Sequence, residues 1–210
     1  MQTILFQGDS ITDGGRWREI DTFLGDGYPT LVAGELGILY PNQYEFHNRG
    51  ISGNRSVDLF ARMKMDILNC KPDYLSILIG VNDVAGEFEH ANGVSAQKYF
   101  AVYDMMIAEI TETLPNTGIL IMEPFVLKGS VTEARYEEYR YEVGERAAKA
   151  KEIAEKYSVC FVALQDKFDE AVKVAPDEYW IRDGVHPTAA GHELIKRTWI
   201  KSFNILKNIE

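Results

Sequence analysis

The amino-acid sequence predicts an α/β protein built on a five-stranded parallel sheet with helices on both faces. Three observations lead there. Short apolar, β-rich runs alternate with helical patterns along the whole chain, which is the signature of repeated strand–helix–strand units. The runs YLSILI (74–79) and GILIM (118–122) are apolar but for Ser76, as strands covered on both faces should be. No repeat, linker or low-complexity tract interrupts the 210 residues, so the chain reads as one domain spanning 1–210.

The elements follow in order. A first strand over 3–7 ends at Gly8-Asp9-Ser10, where polar and glycine residues take over at once. A helix over 28–39 leads to a strand over 44–48, a helix over 57–70 to a strand over 74–79, and a helix over 96–114 to a strand over 118–123. The helix over 132–157 carries the clearest pattern. Tyr139, Val143, Ala147, Ala150, Ala154 and Tyr157 fall at three- and four-residue steps among charged residues, which draws an apolar stripe down one side. A strand over 159–164, a helix over 167–174 and a final helix over 188–206 complete the set. Pro187 and Thr188 start that last helix as an N1 proline and a polar cap.

Composition narrows the function. With 46% hydrophobic and 26% charged residues, the chain is of the globular class with ample core. No window approaches the roughly 18 apolar residues of a membrane span. The N-terminal MQTILFQGDS has no basic region ahead of a long apolar one, so it is not a secretory signal and a cytoplasmic protein is expected. A formal charge of −10 without a basic stripe argues against nucleic acid and suits a neutral substrate. Cys70 and Cys160 lie in apolar runs with no metal spacing and are expected to be buried, reduced thiols.

Open parallel sheets gather their ligand sites at the carboxyl ends of the strands. The polar, glycine-marked junctions fall there. GDSITD with Ser10 follows the first strand, NRGISGNRS with Gly50, Gly53 and Asn54 the second, and GVNDV with Asn82 and Asp83 the third. Ser10 is an available nucleophile once a base removes its proton. A glycine such as Gly53 lets a backbone N–H approach a ligand oxygen, and Asn82 offers a neutral NH2 donor. With the Ser10 N–H these make a three-donor oxyanion hole, each donor worth roughly 10²–10³ in rate. The base arrives late, in WIRDGVHPTAAGH. Asp183 stands three residues before His186, a spacing that lets the carboxylate fix one imidazole nitrogen and free the other for the serine proton. Pro187 holds the His186 backbone extended. His47, His90 and His192 have no such partners and read as structural or surface residues.

These blocks resemble the SGNH hydrolases, the GDSL esterase and lipase family: GDSIT, GISGNRS, GVND and DGVHP, in that order between Gly8 and His192. GDSI stands where the eponymous motif has GDSL, one buried aliphatic for another. The resemblance implies a five-stranded flavodoxin-like sandwich of three layers and ester hydrolysis without metal or other cofactor. It assigns Ser10, Asp183 and His186 to the triad and the Ser10 N–H, Gly53 N–H and Asn82 side chain to the oxyanion hole, and it is what selects Gly53 over Gly50. The stretches NRGISGNRSVDLFARM, KPDYLSILIGVNDV and EPFVL are similar to those of small bacterial esterases that deacetylate xylo-oligosaccharides, which implies an acetylated oligosaccharide as substrate.

Substrate selection would fall to the loops over 85–95 and 125–133, whose Phe88, His90, Phe125 and Lys128 suit a sugar-stacking platform. Trp180 either walls the pocket or packs in the core. The competing functions are a lysophospholipase or thioesterase of the same chemistry, a two-metal phosphoesterase using Asp9, Asp13 and Asp83, and a silent sugar-binding module. A lipid enzyme should expose an apolar groove, and no markedly apolar loop is visible. A metal enzyme lacks the usual Asp-x-His and Asn-His pairings. Tyr136, Tyr139 and Tyr141 face different sides of one helix, a hint of a homo-oligomer interface.

Overall fold

The computed structural model describes residues 1–208. Five parallel strands form one sheet: β1 (Gln2–Gly8), β2 (Tyr44–Asn48), β3 (Tyr74–Leu78), β4 (Gly118–Met122) and β5 (Cys160–Val162), in the order β2-β1-β3-β4-β5. The chain starts at β1, steps outward to β2, then crosses back to β3, so the strand order reverses beside β1. That is the flavodoxin-like order, and the reversal opens a crevice at the carboxyl ends. Phe6 pairs with Asn48 and Gly8 with Leu78, so the exits of β1, β2 and β3 lie side by side.

Nine α-helices complete the described residues: α1 (Ser10–Asp13), α2 (Tyr28–Leu39), α3 (Ser56–Asp66), α4 (Val81–His90), α5 (Ala96–Thr113), α6 (Tyr136–Tyr157), α7 (Gln165–Ala171), α8 (Asp177–Trp180) and α9 (Ala189–Leu206). Side chains alternate across the strands and split the core into two layers. Ile4, Phe6, Leu120 and Met122 meet Val32 and Leu36 of α2 and Trp199 and Phe203 of α9. Leu5, Leu75, Ile77, Ile119 and Ile121 meet Leu59 of α3, Tyr103 and Ile107 of α5 and Ile153 of α6. Each such side chain, fully buried, contributes about 1.5–3 kcal/mol. Ser76, the one polar residue within YLSILI, accepts a hydrogen bond from Trp199 Nε1 at 2.9 Å. None of the described helices is long and apolar enough to cross a membrane.

The differences from expectation have local causes. The residues over 81–90, read as a turn and loop, form α4, although Asn82, Asp83 and Gly86 are poor helix formers; packing against α6 overrides propensity. The helix expected over 57–70 ends at Asp66, where Ile67 leaves the helical region (φ −129°), and a tighter turn at Leu68–Cys70 follows, closed by a left-handed Lys71 (φ 48°) just before Pro72. α7 begins two residues early, since the Glu123 carboxylate at the end of β4 accepts from the N–H groups of Leu164 (2.7 Å) and Gln165 (2.9 Å). Pro187 is not at N1 of α9. It stands before the cap, bridged to Ile181, and Thr188 caps the helix by accepting from Gly191 N at 3.3 Å. Cys70 and Cys160 are free but half-buried rather than buried. Along α6, Tyr139 is buried, Tyr136 half-buried and Tyr141 65% exposed.

Candidate active site

The site begins where β1 ends. Gly8 has φ +155°, and a Cβ there would stand 2.2 Å from Leu78 O and 2.5 Å from Thr12 Oγ1, so only glycine lets the chain turn off the sheet. Asp9 caps the single turn that follows, its Oδ1 accepting from Ile11 N at 3.0 Å. Ser10 is thus the first residue of α1, its N–H among those a helix start leaves without an internal partner.

His186 reaches Ser10 from the far end of the chain. Its Nε2 lies 2.9 Å from Ser10 Oγ and its Nδ1 2.7 Å from Asp183 Oδ2. Asp183 Oδ1 accepts from the backbone N–H groups of Val185 (2.9 Å) and His186 (2.8 Å). Burial pushes the Asp183 carboxyl up, but these N–H groups and the His186 ring outweigh it and hold the group below the usual carboxylate range. An ionised Asp183 makes Nδ1 the protonated nitrogen and leaves Nε2 free to accept from Ser10. Arg182 N donates to His186 O at 2.9 Å and closes the turn.

Gly53 and Asn82 follow the exits of β2 and β3 at the same edge. Gly53 is exposed with φ +81°, and a Cβ would touch nothing within 4 Å. The glycine is therefore demanded by backbone conformation, not by crowding. Asn82 gives one of its Nδ2 hydrogens to Asn54 O at 3.0 Å, which orients the amide and leaves the second uncommitted among the described residues. Gly53 and Asn82 line a shallow cavity of about 320 Å³ together with Arg55, Ala85 and Asn92. Neither it nor a larger cavity of about 570 Å³, between α4, α5 and α6, is lined by Ser10, Asp183 or His186. Chemistry, not size, marks the site.

The structure thus brings Ser10, His186 and Asp183 together at one sheet edge, with Gly53 and Asn82 on neighbouring loops of that edge. Of the expected sugar-stacking residues, His90 lines the cavity shared by Gly53 and Asn82 and Lys128 is exposed, whereas Phe88 and Phe125 are placed otherwise. Phe125 has no exposed surface and stacks on Phe168 with ring centroids 4.4 Å apart. Phe88 is half-buried in the larger cavity, edge-on to Tyr139, with the Arg135 guanidinium 3.8 Å above its ring. Both phenylalanines turn toward the core instead of standing free. Trp180 is half-buried; its Nε1 donates to Ala175 O at 3.1 Å and it packs against the core beside α9. His192, read as structural, is buried and accepts from Tyr28 N at 3.1 Å.

The acidic residues considered as metal ligands are engaged by protein donors. Asp13 Oδ2 accepts from Ser52 N (2.9 Å), Ser52 Oγ (3.0 Å) and Arg18 (3.3 Å), and Asp83 is held by Ser56. Among the described residues no group of three His, Cys, Asp or Glu is placed to share a metal ion. The sequence reading missed Ser56 and Arg62, which meet Asp83 and Gly8 at 27 and 54 positions' distance; no local spacing marks those contacts.

Residues 6–194 match the GDSL-like lipase/acylhydrolase family. The acetylxylan esterase of Geobacillus stearothermophilus is 34% identical over 207 residues, 95% of this chain and 93% of its own. Its crystal structure superposes with a TM-score of 0.86 over 96% of this chain and 93% of that one, at 34% identity. The crystal structure of a GDSL-like protein from Parabacteroides merdae does so with a TM-score of 0.91 at 38% identity, over 97% and 96% of the two chains.

Proposed function

From this chain's membership of the GDSL-like lipase/acylhydrolase family, which makes it a carboxylic ester hydrolase, we propose that it removes acetyl groups from short neutral oligosaccharides, xylo-oligosaccharides foremost, through an acyl-enzyme on Ser10. The observation that carries the serine mechanism is the relay of 2.9 and 2.7 Å from Ser10 through His186 to Asp183. The acetyl-sugar assignment is supported by the full-length likeness to an acetylxylan esterase and by the net charge of −10, which disfavours anionic substrates.

Ser10 Oγ attacks the acetyl carbonyl carbon while His186 Nε2 takes its proton. The oxyanion is met by the N–H groups of Ser10 and Gly53 and by the free Asn82 hydrogen. The C–O bond to the sugar then breaks, and His186 returns the proton to the departing hydroxyl. Water repeats the cycle: it loses a proton to His186, adds to the acetyl-serine carbonyl, and releases acetate as Ser10 recovers its proton. A cytoplasmic site of action on imported oligosaccharides goes with this reading.

The test is acetate release from acetylated xylo-oligosaccharides, beside p-nitrophenyl esters of increasing chain length, for the native protein and Ser10→Ala. Deacetylation should dominate, activity on the synthetic esters should fall beyond about four carbons, and kcat should drop on the order of 10⁶-fold in Ser10→Ala. Preference for long chains would move the substrate to the lipid or thioester branch. Activity surviving Ser10→Ala would remove the serine mechanism.

A further inference from the structure

The proposed oxyanion donors come from three separate loops, after β1, β2 and β3, and the direct bonds between those loops, Ile51 N–H to Gly8 O (3.0 Å), Ser52 N–H to Asp13 Oδ2 (2.9 Å) and Asn82 Nδ2 to Asn54 O (3.0 Å), need a common element to hold them in register. We infer that α3 does so, with Arg62 and Ser56 as positioning residues. The inference rests on the reading of Ser10, Gly53 and Asn82 as the donors.

Arg62 lies mostly buried, its side chain 13% exposed, and an ion pair with Asp66 Oδ2 at 3.0 Å holds the guanidinium. Nη2 donates to Gly8 O at 3.2 Å, two residues before Ser10. Nη1 reaches Gln7 Oε1 and Arg49 O, each at 2.9 Å. Nε donates to Asn54 Oδ1 at 2.7 Å, in the residue after Gly53. One planar fork thus ties the exit of β1 to both ends of the loop after β2. A lysine ammonium carries a similar charge but not that geometry.

Ser56, at the start of the same helix, makes the second tie. It is fully buried. Its backbone N–H donates to both oxygens of Asp83, at 3.2 and 3.0 Å, and its hydroxyl donates to Asp83 Oδ1. Asp83 directly follows Asn82, so this pairing fixes the start of α4 against the start of α3. The Asn82 amide then returns to Asn54 O, in the segment Arg62 already grips. The three loops are closed into one polar circuit whose common member is α3. Donors must sit within roughly 0.5 Å of the productive geometry, and a misplacement of about 1 Å can cost 10² in rate.

The experiment compares Arg62→Lys and Ser56→Ala with the native protein. It measures kcat and KM on p-nitrophenyl acetate, and Ki for phenyl trifluoromethyl ketone, which adds to the serine and places an oxyanion in the hole. Both variants should lose kcat/KM, about 10²-fold for Arg62→Lys and about 10-fold for Ser56→Ala, with KM within about threefold. The Ki of the ketone should rise in proportion to the loss of kcat/KM. A purely structural role lowers the amount of folded enzyme and leaves Ki where it was, because Ki does not depend on enzyme concentration. Where Arg62→Lys does not fold, Ser56→Ala, which deletes one hydroxyl, carries the test. Native Ki and kcat per folded molecule overturn the inference. Activity that persists in Ser10→Ala would instead overturn the serine mechanism beneath it, so the two failures are distinct.

Discussion

The turn that carries Asp183 and His186 makes its side-chain contacts from its own residues and takes only backbone support from elsewhere, Val131 N–H to Asp183 O (2.9 Å) and Leu127 N–H to Gly184 O (3.0 Å), whereas the loops that carry Ser10, Gly53 and Asn82 are held by side chains from distant segments. In the first, carboxylate, imidazole and two backbone N–H groups meet within four consecutive residues, and the Ile181–Pro187 bridge closes the segment. In the second, the ties run from Arg62 to Gly8, Ser56 to Asp83 and Ser52 to Asp13, across 54, 27 and 39 positions. A general base needs a fixed tautomer and one correct direction, which a short turn supplies. An oxyanion hole needs several donors registered together, which only tertiary contacts can supply. The base half should therefore be separable from folding, and the donor half should not.

Short of removing the nucleophile itself, the largest effect should come from Asp183→Asn. Asparagine retains an oxygen for the Val185 and His186 N–H groups, so the turn survives. Its NH2 faces Nδ1, however, and selects the tautomer protonated at Nε2, which cannot accept from Ser10. A loss of about 10³–10⁴ in kcat is expected, with unfolding free energy within about 1 kcal/mol of native by urea titration. A loss below tenfold would remove the carboxylate from the mechanism. A large fall in stability would break the contrast between the halves.

Asn82→Ala should cost about 10²–10³ in kcat with KM nearly unchanged, and it should also lower stability. The Asn54 carbonyl loses the donor that joins two loops, a cost of about 1 kcal/mol. Rate and stability moving together on this side, and apart at Asp183, is the outcome that sharpens the comparison. Asn82→Ala with native stability would mean that the loops are registered without it.

The same contrast explains what the sequence discloses. Asp183 and His186 are readable because their contact is local, and Ser10, Gly53 and Asn82 because strand exits collect on one edge of a parallel sheet. The boundaries of α2 and β2 are readable because turn residues, Gly25-Asp26-Gly27 before α2 and Pro41-Asn42 between α2 and β2, flank the runs. Arg62 and Ser56 are not, since an arginine and a serine on an amphipathic helix look like surface until the fold brings Gly8, Asn54 and Asp83 against them. Phe125 fails in the opposite direction. Placed after Pro124 at a strand exit, it reads as loop, yet the chain turns inward and seats it on Phe168.

Acidity should pull the two halves in opposite senses, with the smallest effects. Beneath the donor loops, burial pushes the Asp9 carboxyl up to about 7, offset in part by the Ile11 N–H, and Asp83 up to about 6, offset in part by Ser56. Asp9 Oδ2 is buried without a partner among the described residues, as suits a protonated acid. An unfolded chain releases these protons near pH 3.8 while the folded one keeps them, so these groups cost stability as pH rises from about 4 to 7. Beside the base, burial pushes His192 down to about 4. The unfolded chain takes up that proton below about 6.5 and the folded one does not, so His192 costs stability as pH falls from 6.5 to 4. Asp9→Asn should therefore gain about 2–3 kcal/mol relative to native between pH 5 and pH 8, at roughly 1.4 kcal/mol per unit. His192→Gln, with an oxygen for Tyr28 N–H, should gain about 2 kcal/mol relative to native between pH 7 and pH 5 by the same arithmetic. Urea titrations at the three pH values test both, and differences that stay flat with pH would mean that neither group changes its proton affinity on folding. Two slopes of opposite sign would place a protonated Asp9 under the donors up to about pH 7 and the neutral His192 imidazole beside the base, so that neither adds charge to the edge while an oxyanion forms.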